Sequence, residues 1–222
     1  MNKKIYLSLL PIFLLVACDR EHAIKKDTYC FQEENRGWVN KESVSKPFIM
    51  VDGNGISNSF SLSDSTSYFS ESWGTNFGIY THYTLKEYCY LNFRSTYGTN
   101  FSISLTAGAP PHGDYAYIGL GGIEFMYDIE FGTIISIYSP FGTKSRIITG
   151  TGYEENEPIN STVEMMDSLL IGGIVYQEVM HFSLKDFEEQ WGEYTPCDIF
   201  IAKNCGLIRY ILSGGLTVSR KI

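Results

Sequence analysis

Three observations predict a mainly β protein, an antiparallel sandwich or a strongly curved open sheet with at most one or two short helices. Beyond residue 27 the chain is rich in Tyr, Phe, Ile, Thr and Ser with Gly scattered throughout, the composition of twisted sheets and their turns. Many short runs alternate apolar and polar side chains with the period of a half-buried strand. Runs with helical period are nearly absent.

The first element is not part of that fold. Met1-Asn2-Lys3-Lys4 gives a short positive head, and residues 5–16 are apolar apart from Ser8 and Pro11. A stretch of this length falls short of the roughly 20 residues that span a bilayer, and it reads as a signal peptide, residues 1–17. It runs into Leu15-Val16-Ala17-Cys18, which resembles the lipobox of bacterial lipoproteins. That resemblance implies cleavage before Cys18 and a lipid anchor on its sulfur, each buried methylene contributing about 0.8 kcal/mol. Residues 18–27 are polar and charged and read as a tether; residues 28–222 are expected to form a single β-rich domain.

Removal of residues 1–17, with Lys3 and Lys4, leaves 15 basic residues of the original 17 against 25 acidic ones, a net charge of −10. Such a chain lacks the basic face that phosphates require, which argues against a nucleic-acid partner and against electrostatic adhesion to anionic lipid.

Strands are expected at 77–85, 87–94, 101–107, 115–120, 123–130, 133–139 and 145–149. Phe101-Ser102-Ile103-Ser104-Leu105-Thr106 is the clearest, apolar on one face and hydroxylated on the other. Phe131-Gly132 separates two runs as a hairpin turn. The Ser-rich tract 57–72 is interleaved with Phe60, Leu62, Tyr68 and Phe69 and reads as sheet edge and loop. Later strands are expected at 161–166, 168–171, 174–182, 198–202, 207–212 and 216–221. One short helix is expected after Ser183, where Asp186 completes a capping-box-like start and Leu184, Phe187 and Trp191 share a face. The continuous apolar runs 199–202 and 207–208 suit strands buried on both sides, with Gly206 in the turn and Lys203 and Asn204 at an exposed tip.

The last third carries a second resemblance. Ser168-Leu169-Leu170-Ile171-Gly172-Gly173-Ile174-Val175-Tyr176-Gln177-Glu178-Val179 and Ala202-Lys203-Asn204-Cys205-Gly206-Leu207-Ile208-Arg209-Tyr210 are similar to a pattern common in cell-envelope lipoproteins of the Bacteroidetes. Ile201 stands where those proteins often have Tyr. The resemblance implies a β-rich envelope lipoprotein and no reaction; the outer membrane is expected over the inner, at its periplasmic face or the cell surface.

Past Cys18 the cysteines are Cys30, Cys89, Cys197 and Cys205, separated by 58, 107 and 7 residues. They admit two disulfides in three connectivities or buried unpaired thiols, with Cys30 to Cys89 the pairing that crosses the fold. No Cys-x-x-Cys favours zinc, and no nucleophile elbow, metalloprotease helix, phosphate loop or dinucleotide fingerprint is present, so neither a cofactor nor a metal is expected. The one exposed, stiffened loop with His beside Asp is Pro110-Pro111-His112-Gly113-Asp114, which turn chemistry explains. Glu154, Glu155 and Glu157 read as a solvated loop that could attract Ca²⁺, and Asp52-Gly53-Asn54-Gly55 reads as a turn.

The chain holds 33 aromatic residues, 16 of them Tyr. Exposed Tyr and Trp on a β scaffold stack on sugar rings or mate with proteins, and Trp38, Trp73 and Trp191 are the candidates for such a face. The expected function is that of a lipid-anchored, non-catalytic module binding a protein or glycan at the envelope. The alternative is a hydrolase using two carboxylates distant in sequence, which would need a pocket holding them about 5–10 Å apart. An aromatic-lined face would favour binding.

Overall fold

Period-2 alternation dominates the computed structural model, which describes residues 25–44, 47–76, 79–110, 112–140, 142–149, 152–155, 158–186 and 192–221. The strands are β1 (Lys25–Tyr29), β2 (Phe48–Asp52), β3 (Ser57–Asn76), β4 (Ile79–Ser95), β5 (Asn100–Thr106), β6 (Tyr115–Leu120), β7 (Ile123–Asp128), β8 (Thr133–Ser139), β9 (Gly142–Thr149), β10 (Gly152–Glu155), β11 (Thr162–Ile171), β12 (Ile174–Ser183), β13 (Pro196–Ala202), β14 (Gly206–Leu212) and β15 (Thr217–Lys221). A 3₁₀ helix, Glu33–Val39, and a single turn of α-helix, α1 (Lys41–Val44), precede β2.

The protein is mainly β, an open antiparallel sheet that does not close into a barrel. Its order is β10-β9-β8-β7-β6-β5-β4-β3-β2-β15-β14-β13-β12-β11, with β1 on β4. Two meanders, β2–β10 and β11–β15, therefore join at one non-local seam, where Val218, Ser219, Arg220 and Lys221 pair with Asp52, Val51, Met50 and Ile49.

The expected strands at 115–120 and 133–139 have the boundaries foreseen. Two expected pairs are each one strand: 77–85, from residue 79 on, and 87–94 fall within the 17 residues of β4, and 161–166, from residue 162 on, and 168–171 within the 10 of β11; residues 77 and 78 lie outside the described residues. The tract 57–72, expected as edge and loop, belongs to the 20-residue β3. Hydroxyl-rich sequence suits a strand whose polar face is wet, and Phe60 on the other face is fully buried. Ser183 ends β12 opposite Thr162 and Asp198 rather than capping a helix; the rest of that expected helix, with Phe187 and Trp191, lies outside the described residues.

Contacts divide the chain into two compact units. The smaller takes in Glu71–Leu85 and residues up to Thr28. There Trp73 and Tyr83 have ring centroids 4.5 Å apart, and the Lys26 ammonium lies 5.7 Å from the Tyr83 ring. A hydrogen bond with the Glu71 carboxylate raises the Tyr83 phenol above its ordinary value.

The larger unit, Tyr29–Ser70 with Lys86–Ile222, holds the main core. Rows of facing residues build it: Phe93, Phe101, Leu120 and Ile123 in one, and Leu91, Ile103, Ile118 and Phe125 in the next, across β4, β5, β6 and β7. All eight side chains are buried. The other wall is Met180, Phe182, Ile199, Ile201, Leu207, Tyr210 and Val218. Phe182 joins the walls, its ring 4.5 Å from Phe125 and 5.6 Å, edge-on, from Tyr127.

A second apolar cluster, Ile171, Tyr176, Val179, Phe200, Ala202 and Ile208, lies on the opposite side of the β12–β14 sheet. Alternate residues of Ile199–Ala202 thus enter different clusters, as expected of strands buried on both sides. At the tip Asn204 and Gly206 have φ of 57° and 79°. Lys203 departs from the exposed tip expected: its ammonium pairs with Glu178 and lies 5.9 Å from the Trp38 ring, and its side chain is largely covered.

Asp186 closes the larger unit by hydrogen bonds. Its buried carboxylate accepts from the backbone N–H groups of Asn160 and Ser161, from the Ser161 hydroxyl and from the Lys144 ammonium at 2.9 Å. The Ser161 hydroxyl in turn accepts from the N–H groups of Lys185 and Asp186. Burial alone would raise this carboxyl, but these donors together hold it below its ordinary value.

Two outcomes follow for stability. Phe182→Ala should lower the unfolding free energy by about 3–5 kcal/mol in urea titrations, whereas Tyr194→Ala, 81% exposed, should change it by no more than about 0.5 kcal/mol. Asp186→Asn should cost about 1.5–3 kcal/mol at pH 7, the range for a hydrogen bond to a charged group. The depressed carboxyl stabilises the fold fully above its ordinary value of 3.8, and that share disappears as pH falls through the lower folded value. The gap between wild type and variant should therefore shrink between pH 5 and pH 3.

Candidate functional site

The face of the sheet turned away from the main core carries the residues that alternate with it. From β4 to β8 one row reads Asn92, Ser102, Gly119, Glu124 and Tyr138; the next reads Tyr90, Ser104, Tyr117, Met126 and Ser136. Small side chains in the middle and large ones at the sides leave a furrow of about 540 Å³. Ser102, Ser104, Thr106 and Gly119 form its floor, and Tyr68, Tyr88, Tyr90, Tyr117 and Tyr138 stand around it, with Glu124 at one side.

Local sequence explains the shape. Asn-Phe-Ser-Ile-Ser-Leu-Thr on β5 puts every large residue into the core and every hydroxyl on the furrow side. Gly119 is needed where it sits, since a Cβ there would lie 2.6 Å from the Ser102 hydroxyl and 3.3 Å from Glu124 Cγ. The Tyr68 and Tyr88 rings are 5.0 Å apart at 53°. Burial pushes the Tyr117 phenol up, and Tyr138 and Tyr88 add to this; burial does the same to Tyr90, helped by Tyr88, Asp64 and Glu124. The Tyr117 and Tyr90 phenols therefore stay neutral and keep their O–H donors at physiological pH. Among the described residues the furrow is lined by one carboxylate, Glu124, and no cationic side chain.

A second cleft, of about 520 Å³, lies between the 3₁₀ helix and the β12 and β13–β14 segments. Apart from Glu34, its charged side chains are matched within it or at its rim. Arg36 bonds Glu33 and, through two nitrogens, Glu87, while Lys203 bonds Glu178. Burial would raise Glu87, but the Arg36 hydrogen bonds and the Phe31 N–H hold it below the usual range. This cleft fastens the 3₁₀ helix to the sheet.

The expected site residues fare differently. Cys18 lies outside the described residues, as does Trp191. Trp38 is not a surface platform: it is 4% exposed, driven into the main core with Val39 by the 3₁₀ helix. Trp73 is half exposed and tilted against Tyr83 within the smaller unit. Cys30 and Cys89 are free thiols, as are Cys197 and Cys205, so the Cys30–Cys89 bridge is not formed.

His112 and Asp114 do not act together. The buried Asp114 carboxylate accepts from Gln32 N–H, the Asn35 amide and Gly108 N–H, while His112 Nδ1 lies 3.6 Å from Asp128. The loop that separates them is tight enough that a Cβ on Gly108 would come within 1.6 Å of the Gly113 carbonyl oxygen. Asp52 accepts from Asn54 and Ile56 N–H, as a turn residue. The side chains of Glu154, Glu155 and Glu157 lie outside the described residues, and among the described ones no three His, Cys, Asp or Glu are grouped to hold a metal.

The furrow was missed in the sequence because no stretch of chain carries it. A signal existed: Tyr88-x-Tyr90 and Tyr115-x-Tyr117 place aromatic rings on the faces that alternation makes polar. Compared with known proteins, the chain matches no family model, no curated protein and no solved structure.

Thiol chemistry offers a direct check of this geometry. Burial and the Asp198 carboxylate push the Cys197 thiol up to about 11, and a thiol must ionise to attack. Timed iodoacetamide labelling of the native protein at pH 8, read by peptide mass mapping, should modify exposed Cys30 first and leave Cys197 unmodified until denaturant is added.

Proposed function

We propose that this chain is a lipid-anchored envelope protein, a non-catalytic module that holds a protein or glycan partner against the tyrosine furrow. The observation that carries the reading is the set of five tyrosines around a floor of serine, threonine and glycine. Tyr supplies a rigid, amphipathic contact surface at little entropic cost, and Ser and Gly supply adaptable hydrogen bonding and close approach. The anchor rests on Leu15-Val16-Ala17-Cys18 and on the likeness of the C-terminal hairpins to Bacteroidetes-type lipoproteins. The membrane of this reading is the outer one, at its periplasmic face or the cell surface. No helix of the described residues is long and apolar enough to cross a membrane.

The hydrolase reading needs two carboxylates facing one substrate. Among the described residues Glu124 has no carboxylate companion in the furrow lining, and the buried Asp114, Asp128 and Asp186 accept hydrogen bonds from Asn35, Glu130 and Ser161 respectively. These engagements favour binding over turnover.

Mass spectrometry of the membrane-extracted protein should find residue 18 as the N-terminus with acyl chains attached, and Cys18→Ala should leave an unlipidated chain, uncleaved or released. A mature terminus free of lipid would refute the anchor. Affinity capture from envelope extract should retain a partner on the wild type and lose it on Tyr88→Ala/Tyr117→Ala. Turnover of a hydrolase substrate panel, abolished by one carboxylate substitution in a still folded protein, would refute the non-catalytic reading.

A further inference from the structure

We infer that the tyrosine furrow is a site for an uncharged oligosaccharide, taken up across the middle of the sheet face by ring stacking and hydroxyl hydrogen bonds. This rests on the binding reading above and narrows it to one class of ligand.

Size is the first argument. About 540 Å³ lies within the 300–1,000 Å³ of sites for small ligands. Thirteen residues line it, fewer than the roughly 20–30 a side of a stable protein interface. The furrow therefore suits a short polymer segment better than a folded partner.

Position is the second. The floor belongs to β5 and β6, interior strands whose backbone groups are paired with β4, β5, β6 and β7 on either side. An extended peptide binds a sheet chiefly by adding a strand at an open edge. No edge is offered here; only side chains face the ligand. A peptide would leave its own N–H and C=O groups without backbone partners, whereas a sugar chain needs only ring faces and side-chain polar groups.

Chemistry is the third. Five Tyr rings line the furrow and can stack on the C–H side of a pyranose, and Ser102, Ser104 and Thr106 carry hydroxyls that both donate and accept. Among the described residues none of these three hydroxyls, nor the Glu124 carboxylate, has a side-chain hydrogen-bond partner; Ser102, Thr106 and Glu124 are open to a ligand hydroxyl, and Ser104, 4% exposed, lies deepest in the floor. Among the described residues the single charge in the lining is negative, and no lysine or arginine lines the furrow. A uronate, sulfate or phosphate would meet Glu124 with no cation to compensate, so acidic glycans are disfavoured and neutral ones favoured.

The test uses the full lipidated chain in a zwitterionic detergent that carries no sugar headgroup. It is applied to an array of neutral oligosaccharides of four to eight units, with oligogalacturonate as the acidic probe, and hits are measured by calorimetry. At least one neutral series should bind and oligogalacturonate should not. Tyr117→Ala and Tyr138→Ala should each weaken the hit by roughly three- to tenfold, the worth of one aromatic contact, while Tyr138→Phe keeps most of the affinity. Both positions are more than 40% exposed, and an unchanged melting temperature confirms that the fold is intact. A blank neutral array, equal binding of oligogalacturonate, or a hit indifferent to both alanine variants overturns the inference. If the array is blank while a captured envelope protein is lost on Tyr117→Ala, the glycan inference falls and the binding reading stands. If neither kind of capture depends on the furrow, both fall.

Discussion

The ring of Phe182 sets the architecture of the larger unit. β7 and β12 are nine positions apart in the sheet order, which in a flat sheet would separate them by about 40 Å at the usual strand spacing. Their aromatic rings instead lie 4.5 Å apart. The sheet must roll until its two arms share one core, and Phe182 with Phe125 and Tyr127 is where the roll is held. The hydrogen bonds of Asp186 to the segment before β11 and to Lys144 of β9 hold the same arms from the polar side. An open sheet without this contact would expose both apolar faces, Phe101, Ile103 and Leu105 on one arm and Ile199 and Ile201 on the other.

Rolling in this direction decides which face remains for chemistry. Once one residue in two along β4–β7 turns inward, the residues between them must tolerate water, and here they are Tyr, Ser, Thr, Gly and Glu. The hydroxyl-rich floor and the phenylalanine-rich core are two sides of the same alternation: Ser102 and Ser104 point outward because Phe101, Ile103 and Leu105 point inward. A substitution that slips β5 by one residue would exchange the two faces and lose core and furrow at once.

Much of this was legible in the chain, and the limits have physical reasons. Strands such as Tyr115–Leu120 and Thr133–Ser139 are bounded by turn residues, so both ends could be read. The sequence breaks β4 in two at Lys86, between the runs 77–85 and 87–94; the structure carries the strand straight through and places Glu87 midway along it, where Arg36 and the Phe31 N–H meet its carboxylate. The tract 57–72 reads in the sequence as sheet edge and loop, and lies within β3, because its serines give no apolar period on the wet face. Trp38 looked like a surface aromatic among charges, yet those charges, Glu33 and Arg36, occupy the outer side of the 3₁₀ helix whose inner side carries the tryptophan. The furrow was least legible because its residues come from β3, β4, β5, β6, β7 and β8 and meet only through register.

The same register explains where the carboxylates went. Asp114, Asp128 and Asp186 all sit at strand ends, where a sheet that rolls leaves loop N–H groups turned inward and in need of acceptors. Each takes several: Asp128 accepts from Glu130 and Phe131 N–H, Asp114 from Gln32 and Gly108 N–H, and Asp186 from Asn160 and Ser161 N–H. Acidic side chains used in this way stabilise the ends of the fold and are withdrawn from the solvent face. Glu124 differs because it lies within a strand, opposite Gly119 and Tyr138, where every neighbouring backbone N–H already belongs to the ladder. An acceptor left over by the sheet, set among phenol rings and facing water, is one the protein has no internal use for, and that is the physical ground for looking to a ligand there.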